Sequence, residues 1–300
     1  MKGHLVKLIF LVFAINLSTA QEWMTDLKIA QKLALVQNKM VLMVWEGTTE
    51  YPYPVFVNNE KGRKIYVDNL FLDENLSPLI WEYFVPVIVS ENKYGVYYSE
   101  IKGKRSRNYI EKFNDNSIKI MDVNGNILNT SDIYLEDLEN ISTIIKKYAL
   151  DTEFLAPELR GYQTQKDFYS AYYLASKYMD FSLYGKEKLR PDLLKLAKIY
   201  IDEARSFAKA ESKEEQSVLA QRCNLLEINQ YLLLKRPKKV LRLLEKMDAY
   251  KIDNANTSFI AYLYYTAYMS SKRLEDAESW KSKISSVNLK KAQVIINLNS

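Results

Sequence analysis

Side chains that commonly perform enzyme chemistry are scarce in this sequence. The 300 residues include one histidine, His4, and one cysteine, Cys223. Zinc sites built from histidine and cysteine, disulfide frameworks and Cys-His dyads each need at least two such side chains. The sequence therefore predicts no metal site and no cofactor.

Carboxylate pairs are the remaining catalytic option, because two carboxyl groups suffice for glycoside hydrolysis. The chain offers Glu214 with Glu215, a cluster of Glu136, Asp137 and Glu139, and Asp202 with Glu203. Each group lies in a predicted helix with lysine or arginine nearby, where a solvated charge is the more common role. No glycine-rich phosphate loop is present either. We therefore expect no catalytic residue, and a binding protein rather than an enzyme.

Cys223 lies in a stretch with helical periodicity and has two interpretations. The first is a buried, small apolar residue, which is a common role for an unpaired cysteine. The second is a reactive thiol that forms mixed disulfides, which would make the protein a thiol-disulfide oxidoreductase or an accessory to one. A Cys223→Ser variant separates the two, because only the second interpretation predicts a loss of function.

Residues 1–20 have the pattern of a secretion signal peptide. Lys2 and Lys7 form a basic start, residues 8–17 form an apolar core, and small residues end the segment at Ala20. The alternative is a signal anchor, but the apolar run is shorter than the roughly 20 residues that span a bilayer. We expect an exported mature chain that is soluble after cleavage, in a periplasm or outside the cell.

The mature chain is close to neutral. Without Lys2 and Lys7, 40 basic residues face 37 acidic ones, a net charge of +3. This balance argues against a nucleic-acid partner. One basic cluster, residues 102–107, is either an electrostatic patch for an acidic partner or a solvated loop or helix start.

The first half alternates helical patterns with apolar strands. A helix is predicted over 26–38 and a short one over 76–83, each followed by an apolar run, 40–45 and 84–89. Apolar residues on both faces of a strand favour the interior of a covered sheet. Two helix-then-strand units in succession predict an α/β sheet.

The first half continues with a hairpin and a helix. The pattern predicts strands at 118–121 and 127–128, joined by a tight turn at Asn124-Gly125, where φ can be positive. A final helix over 134–148 would cover one face of the sheet.

This order of elements resembles the thioredoxin family, in particular its exported branch. The likeness is carried by the phrases at 30–44, 83–89 and 120–127, and it predicts a thioredoxin-like domain over 21–148. The family places a Cys-x-x-Cys pair just after the strand that ends at Trp45, whereas this chain continues with residues 46–54, which contain no cysteine. Thiol exchange needs both thiols, so the resemblance implies a redox-inactive member.

A further hairpin, 55–57 with 64–67, is predicted as an insertion where the family's active-site helix would begin. Trp45, Tyr51 and Tyr53 lie close to it in sequence. They are candidate partner-binding residues on a peptide-binding rim. The alternative is that these aromatic side chains fill the edge of the fold.

From residue 151 onward, helical periodicity replaces the strand patterns. Seven helices are predicted: 164–179, 191–211, 213–234, 237–247, 257–271, 273–284 and 289–297. The pattern Ser-apolar-apolar-Ala at 217–220 recurs at 258–261, an offset of 41, and the second helices that follow resemble each other loosely at an offset of 37. Such offsets are typical of stacked helical hairpins, and residues 264–277 resemble a tetratricopeptide unit. We expect an α-helical repeat-like domain over 151–300.

Tyrosines are dense in these helices. In stacked hairpins the first helix of each pair usually lines a concave face, so Tyr172, Tyr264 and Tyr268 are candidate partner-binding residues. The alternative is packing between helices. The whole sequence favours an exported, redox-inactive thioredoxin-like protein that binds a protein or peptide of the cell envelope. A structural subunit of an envelope assembly is a weaker alternative.

Overall fold

The structure is a computed structural model that describes residues 22–131, 138–247 and 252–299. The predicted signal peptide, 1–20, lies outside the described residues. The chain divides into two compact units. The first contains the described residues up to 125 and 138–150, and the second contains 126–131 and the described residues from 151 onward.

Helix α1, Leu27–Gln37, opens the first unit and is bounded by local signals. The Asp26 carboxylate accepts a hydrogen bond from the backbone N–H of Ile29 at 2.9 Å, which caps the amino terminus. Asn38 adopts a left-handed backbone with φ 55° and ends the helix. These two residues are the predicted limits of the helix.

A three-stranded sheet forms the core of the first unit. Strand β1, Met40–Trp45, lies in the centre, parallel to β4, Phe84–Val89, and antiparallel to β5, Lys119–Met121. All six residues of β1 are buried. The predictions of two apolar strands, and of an interior position for the first, are confirmed. The interior position expected for the second is wrong: β4 is an outer strand of this sheet, with only an isolated bridge from Met24 to Val87 on its far side within the described residues.

A separate two-stranded ribbon confirms the hairpin predicted at 55–57 and 64–67. Strands β2, Val55–Asn58, and β3, Lys64–Val67, pair antiparallel. Gly62 has φ +75° in the turn, and its N–H donates to the carbonyl of Asn59 at 2.8 Å. Glycine adopts this conformation without a steric penalty.

Four further helices belong to the first unit: α2, Leu76–Tyr83; α3, Tyr94–Ile101; α4, Arg107–Asn114; and α5, Ile141–Tyr148. Helix α2 was predicted and α3 and α4 were not. The basic cluster at 102–107 is the turn from α3 into α4, where Ser106 caps α4. Helix α5 is the carboxyl-terminal part of the predicted helix 134–148, and residues 134–137 lie outside the described residues.

The predicted hairpin after β5 forms its turn, with Gly125 at φ +84° and its N–H donating to the carbonyl of Asp122 at 3.0 Å. Its expected second strand, 127–128, is reduced to a single β-bridge at Ile127. Residues 126–131 instead belong to the second unit, where the side-chain amide of Asn126 donates to the hydroxyl of Tyr200 at 3.1 Å.

Eight helices make up the described part of the second unit: α6, Ala156–Thr164; α7, Phe168–Tyr184; α8, Arg190–Ala208; α9, Lys213–Leu233; α10, Pro237–Glu245; α11, Thr257–Ser270; α12, Leu274–Lys281; and α13, Ser286–Asn299. The seven predicted helices are all present, and α6 was not predicted. The architecture is therefore α/β followed by all-α. No helix in the described residues is both long and apolar enough to cross a membrane.

Two turns of the second unit repeat each other. Lys235, between α9 and α10, has φ 58°, and Lys272, between α11 and α12, has φ 60°. In each turn the next residue donates its N–H to a tyrosine carbonyl five positions earlier, Arg236 to Tyr231 at 2.8 Å and Arg273 to Tyr268 at 3.0 Å. The spacing of 37 residues equals the offset read from the sequence for the second helices.

Candidate binding cleft

A cleft of about 330 Å³ opens on the second unit. Its walls come from α7, α9, α11 and α13, and the segment that enters α11 closes one end. Helices α7, α9 and α11 are the first members of three successive helix pairs. Alternate helices along the chain therefore contribute walls to one cleft.

Helical spacing brings the lining side chains of each wall to one face. Tyr172, Tyr173 and Ser176 of α7 lie at positions i, i+1 and i+4. Ser258, Phe259 and Tyr262 of α11 follow the same spacing. Residues one turn apart on a helix are neighbours on its surface, so each helix places two aromatic rings in the wall.

The third wall, α9, supplies a polar group inside an apolar stretch. Asn229 is 1 % exposed, lies among leucines and isoleucine, and lines the cleft. Its side-chain nitrogen makes a long contact of 3.8 Å to the sulfur of Met179, and its side-chain oxygen has no hydrogen-bond partner in the described part of the chain. Leaving such a group unpaired costs about 1–3 kcal/mol, which a ligand can recover.

Tyr262 of α11 has the same property. Its ring is buried, the residue lines the cleft, and its buried hydroxyl has no hydrogen-bond partner among the described residues. Burial raises the pKa of Tyr262 and, less strongly, that of Tyr172 on the facing wall. Both phenols are therefore protonated at neutral pH and can donate a hydrogen bond.

Among the described residues that line the cleft, two are cations and none is a carboxylate. Arg222 of α9 donates through Nε to the side-chain oxygen of Asn256 at 3.2 Å and through Nη2 to the carbonyl of Ala255 at 3.4 Å. Lys291 of α13 forms an ion pair with Asp180 of α7, which is not a lining residue. The cleft surface is thus positively charged.

Asn256 fixes the guanidinium in place. This residue is 1 % exposed, and its side-chain nitrogen donates to the carbonyl of Val218 at 3.1 Å and to the side-chain oxygen of Gln221 at 2.9 Å. Its remaining oxygen receives the bond from Arg222. The orientation of the arginine is therefore set before any ligand arrives, which lowers the entropy that binding must remove.

Of the residues selected from the sequence, only Tyr172 lies in this cleft. Tyr264 and Tyr268 stack on each other with ring centres 5.8 Å apart, and Tyr264 stacks on Trp280 at 4.4 Å. This stack joins α11 to α12, and Arg273 lies 4.7 Å from the ring centre of Tyr268. The contacts are those of helix-to-helix packing.

The three candidates of the first unit do not form one exposed surface. Trp45 is buried in the core, where its indole N–H donates to the carbonyl of Phe113 at 2.8 Å. Tyr53 is half-buried and its hydroxyl donates to Glu139 at 2.5 Å. Tyr51 is exposed. Among these aromatic side chains, only Tyr51 is fully open to a partner.

Cys223 is fully buried in α9. Burial is the main cause that raises the pKa of its thiol to about 11. The reactive species of a cysteine is the thiolate, and this environment disfavours it at neutral pH.

The carboxylate groups considered in the sequence have local structural roles. Glu139 is buried, and its carboxylate accepts the backbone N–H of Ile118 at 3.2 Å in addition to the Tyr53 bond. Asp202 pairs with Arg205 at 3.2 Å. The remaining contacts are Glu203 with Tyr162 and Glu215 with Ser212, while Glu136 and Asp137 lie outside the described residues. Over the parts of the chain that the structure describes, no three His, Cys, Asp or Glu side chains cluster as a metal site would require.

Arg222, Asn229 and Lys291 were not predicted from the sequence. Asn229 could have been noticed, because it lies four residues after Leu225 and three before Leu232, a position that helical periodicity assigns to the core. In the sequence, each of the two cations resembles an ordinary surface charge, and no local pattern indicates that both line one cleft. No family model, curated protein or solved structure matches this chain.

Proposed function

We propose that this chain is an exported, redox-inactive, thioredoxin-like protein of the cell envelope that binds a protein or peptide through the cleft of its second unit. The observation that carries the proposal is the cleft itself. Aromatic walls combined with a few unpartnered polar groups are the usual composition of a binding site. Its volume of about 330 Å³ suits a short segment of a partner.

The chemistry of the cleft favours recognition over catalysis. Its polar groups are amides, hydroxyls, a guanidinium and an ammonium. Amides and phenols are hydrogen-bonding groups suited to a peptide backbone, and tyrosine and arginine are enriched where binding energy is concentrated. A general base or an activated nucleophile would need a different set of partners.

A helical-repeat assignment for the second unit rests on the repeated turns and on the walls of the cleft. Lys235 and Lys272 have matching left-handed conformations at an offset of 37. The alternate helices α7, α9 and α11 line one concave surface. These features are similar to tetratricopeptide-like hairpins, which use that surface to bind extended segments.

A thioredoxin-like assignment for the first unit rests on its sheet. Helix α1 precedes β1, which lies between a parallel strand and an antiparallel one. Directly after β1, residues Glu46–Thr49 form a turn of 3₁₀ helix where the family would carry its cysteines. We therefore assign this unit the role of a platform without thiol exchange.

Capture from an envelope extract tests this function. The chain without residues 1–20 is immobilised, in wild-type form and as Tyr173→Ala, which removes a half-exposed ring from the cleft wall. Tyr184→Ala is the matched control, because Tyr184 is an exposed tyrosine of the same helix that does not line the cleft. Loss of a tyrosine that contacts a partner should weaken capture by about tenfold or more.

The expected result is a discrete partner that wild type and Tyr184→Ala retain and Tyr173→Ala loses, with or without reductant. Equal retention by all three proteins would refute the cleft as the binding site. Release only by reductant would favour the alternative function through Cys223.

A further inference from the structure

We infer that the cleft recognises an acidic peptide segment through a carboxylate, supplied by an aspartate or glutamate side chain or by the peptide's own carboxyl terminus. This inference rests on the proposed function and specifies the chemistry of the ligand. It is carried by the charges, the unpartnered polar groups and the aromatic walls that the four helices bring together.

Charge is the first argument. Arg222 and Lys291 are the ionisable lining residues other than tyrosine, and both are cationic. The guanidinium of Arg222 uses Nε and Nη2 for Asn256 and Ala255, whereas Nη1 makes no hydrogen bond to the described residues. An arginine with a free nitrogen and a fixed orientation is suited to a carboxylate.

Lys291 supplies a second cation from α13. Its ammonium group has three donors, and the ion pair with Asp180, which does not line the cleft, uses one of them. The cleft therefore offers two cationic side chains from different helices, which can contact one carboxylate or two along a segment.

The unpartnered groups match a peptide backbone. The side-chain oxygen of Asn229 needs a donor, and the hydroxyl of Tyr262 can donate. A peptide offers one N–H and one carbonyl per residue, and so can satisfy both groups within a short stretch of chain. A simple inorganic anion would leave the oxygen of Asn229 without a partner.

The aromatic walls add an apolar requirement. Tyr172 and Tyr173 face the cleft from α7 and Phe259 from α11. Side chains of this kind bury apolar groups and tolerate a nearby polar backbone. The fitting ligand therefore combines a carboxylate with an apolar or aromatic side chain in neighbouring positions.

Fluorescence anisotropy with four labelled hexapeptide pools tests the inference on the full chain without residues 1–20. Two positions in each pool are both Glu or both Gln, the other positions are mixtures of uncharged residues, and the carboxyl terminus is either free or amidated. The Gln pool with an amidated end carries no carboxylate and is the reference. The two intermediate pools distinguish a side-chain carboxylate from a terminal one.

We expect carboxylate-bearing pools to bind about tenfold more tightly than the reference, with the difference shrinking as salt is raised. The inference would be overturned if the reference pool bound as tightly as the carboxylate-bearing pools, or if no carboxylate-bearing pool bound more tightly than the reference.

Matched variants locate the effect. Lys291→Gln should reduce the affinity for the Glu pools about tenfold, and Lys291→Arg should restore most of it. Lys290→Gln removes the same charge from the adjacent, exposed position outside the cleft and should leave affinity unchanged. Arg222→Gln should behave as Lys291→Gln does, with thermal unfolding used to verify that the entry to α11 remains folded.

The outcomes separate this inference from the function beneath it. If the peptide pools show no preference for carboxylates while Tyr173→Ala still abolishes partner capture, the binding function stands and the acidic ligand is refuted. If Tyr173→Ala has no effect on capture either, both the cleft as the binding site and the acidic ligand are refuted.

Discussion

The reactivity of Cys223 gives a quantitative test of a binding role against a thiol-based one. Burial raises the pKa of this thiol from 9.0 to about 11. The higher pKa lowers the thiolate fraction at neutral pH by about 100-fold, which makes deprotonation of the thiol about 3 kcal/mol less favourable. Because the side chain is also fully buried, a reagent must wait for the structure to open.

The assay follows modification of the thiol by a chromogenic aromatic disulfide at neutral pH, in buffer and in concentrated guanidinium chloride. Cys223 is the single cysteine, so the signal has one source. We expect the native rate to be at least about 100-fold below the denatured rate, because a smaller thiolate fraction and the need for the structure to open both slow the reaction. Cys223→Ser should retain the captured partner.

A native rate within tenfold of the denatured one would refute the argument from burial. Loss of partner capture in Cys223→Ser, with the fold intact, would contradict the proposed function and favour the oxidoreductase alternative.

The same thiol should make alkaline stability fall. Between pH 9 and about 11 the unfolded chain has lost the Cys223 proton while the folded chain retains it. The folded state then binds more protons, so the free energy of unfolding decreases as pH rises through this window. Urea unfolding of wild type and Cys223→Ser at several alkaline pH values measures the difference, and parallel pH profiles would contradict it.

Three further predictions concern stability. Lys119 is fully buried, and burial lowers the pKa of its ammonium from 10.5 to about 8. Between these pH values only the unfolded state stays protonated, so the free energy of unfolding of the wild type should rise with pH by up to about 3 kcal/mol relative to Lys119→Met. Urea midpoints that do not change with pH across this range would contradict the prediction. Trp280→Ala removes the ring stacked on Tyr264 and should cost about 2 kcal/mol in urea unfolding while leaving peptide affinity unchanged, because neither side chain lines the cleft. Gly125→Ala forces φ +84° on a residue with a side chain and should lower the free energy of unfolding by about 1–2 kcal/mol in the same measurement. An unchanged urea midpoint would contradict this prediction.

Elements with a local cause were predictable from the sequence. Strands β1 and β4 begin and end at the predicted residues because short apolar runs are bounded by polar ones. Asp26 and Asn38 mark the ends of α1 because each has a capping role. Helices α3 and α4 were not predicted: they are as short as α2, but neither is followed at once by an apolar strand as α2 is.

Elements decided by distant contacts were not predictable. The strand expected at 127–128 is reduced to a bridge at Ile127, and residues 126–131 belong to the second unit, a choice on which the local sequence pattern carries no information. The residues of the cleft also depend on distant contacts.

Tyr172 was selected because tyrosine suits a concave helical surface. Arg222 and Lys291 line the same cleft only because α9 and α13 meet in the fold.

Residues 126–131 also impose an order of events during synthesis. Asn126 leaves the ribosome well before Tyr200, its hydrogen-bond partner 74 positions later in the chain. At about 5–20 residues per second, that delay lasts roughly 4 to 15 seconds. The second unit therefore has to take up a strip of chain made long before most of its helices. A single proteolytic cut between residues 150 and 151 would leave that strip attached to the wrong fragment.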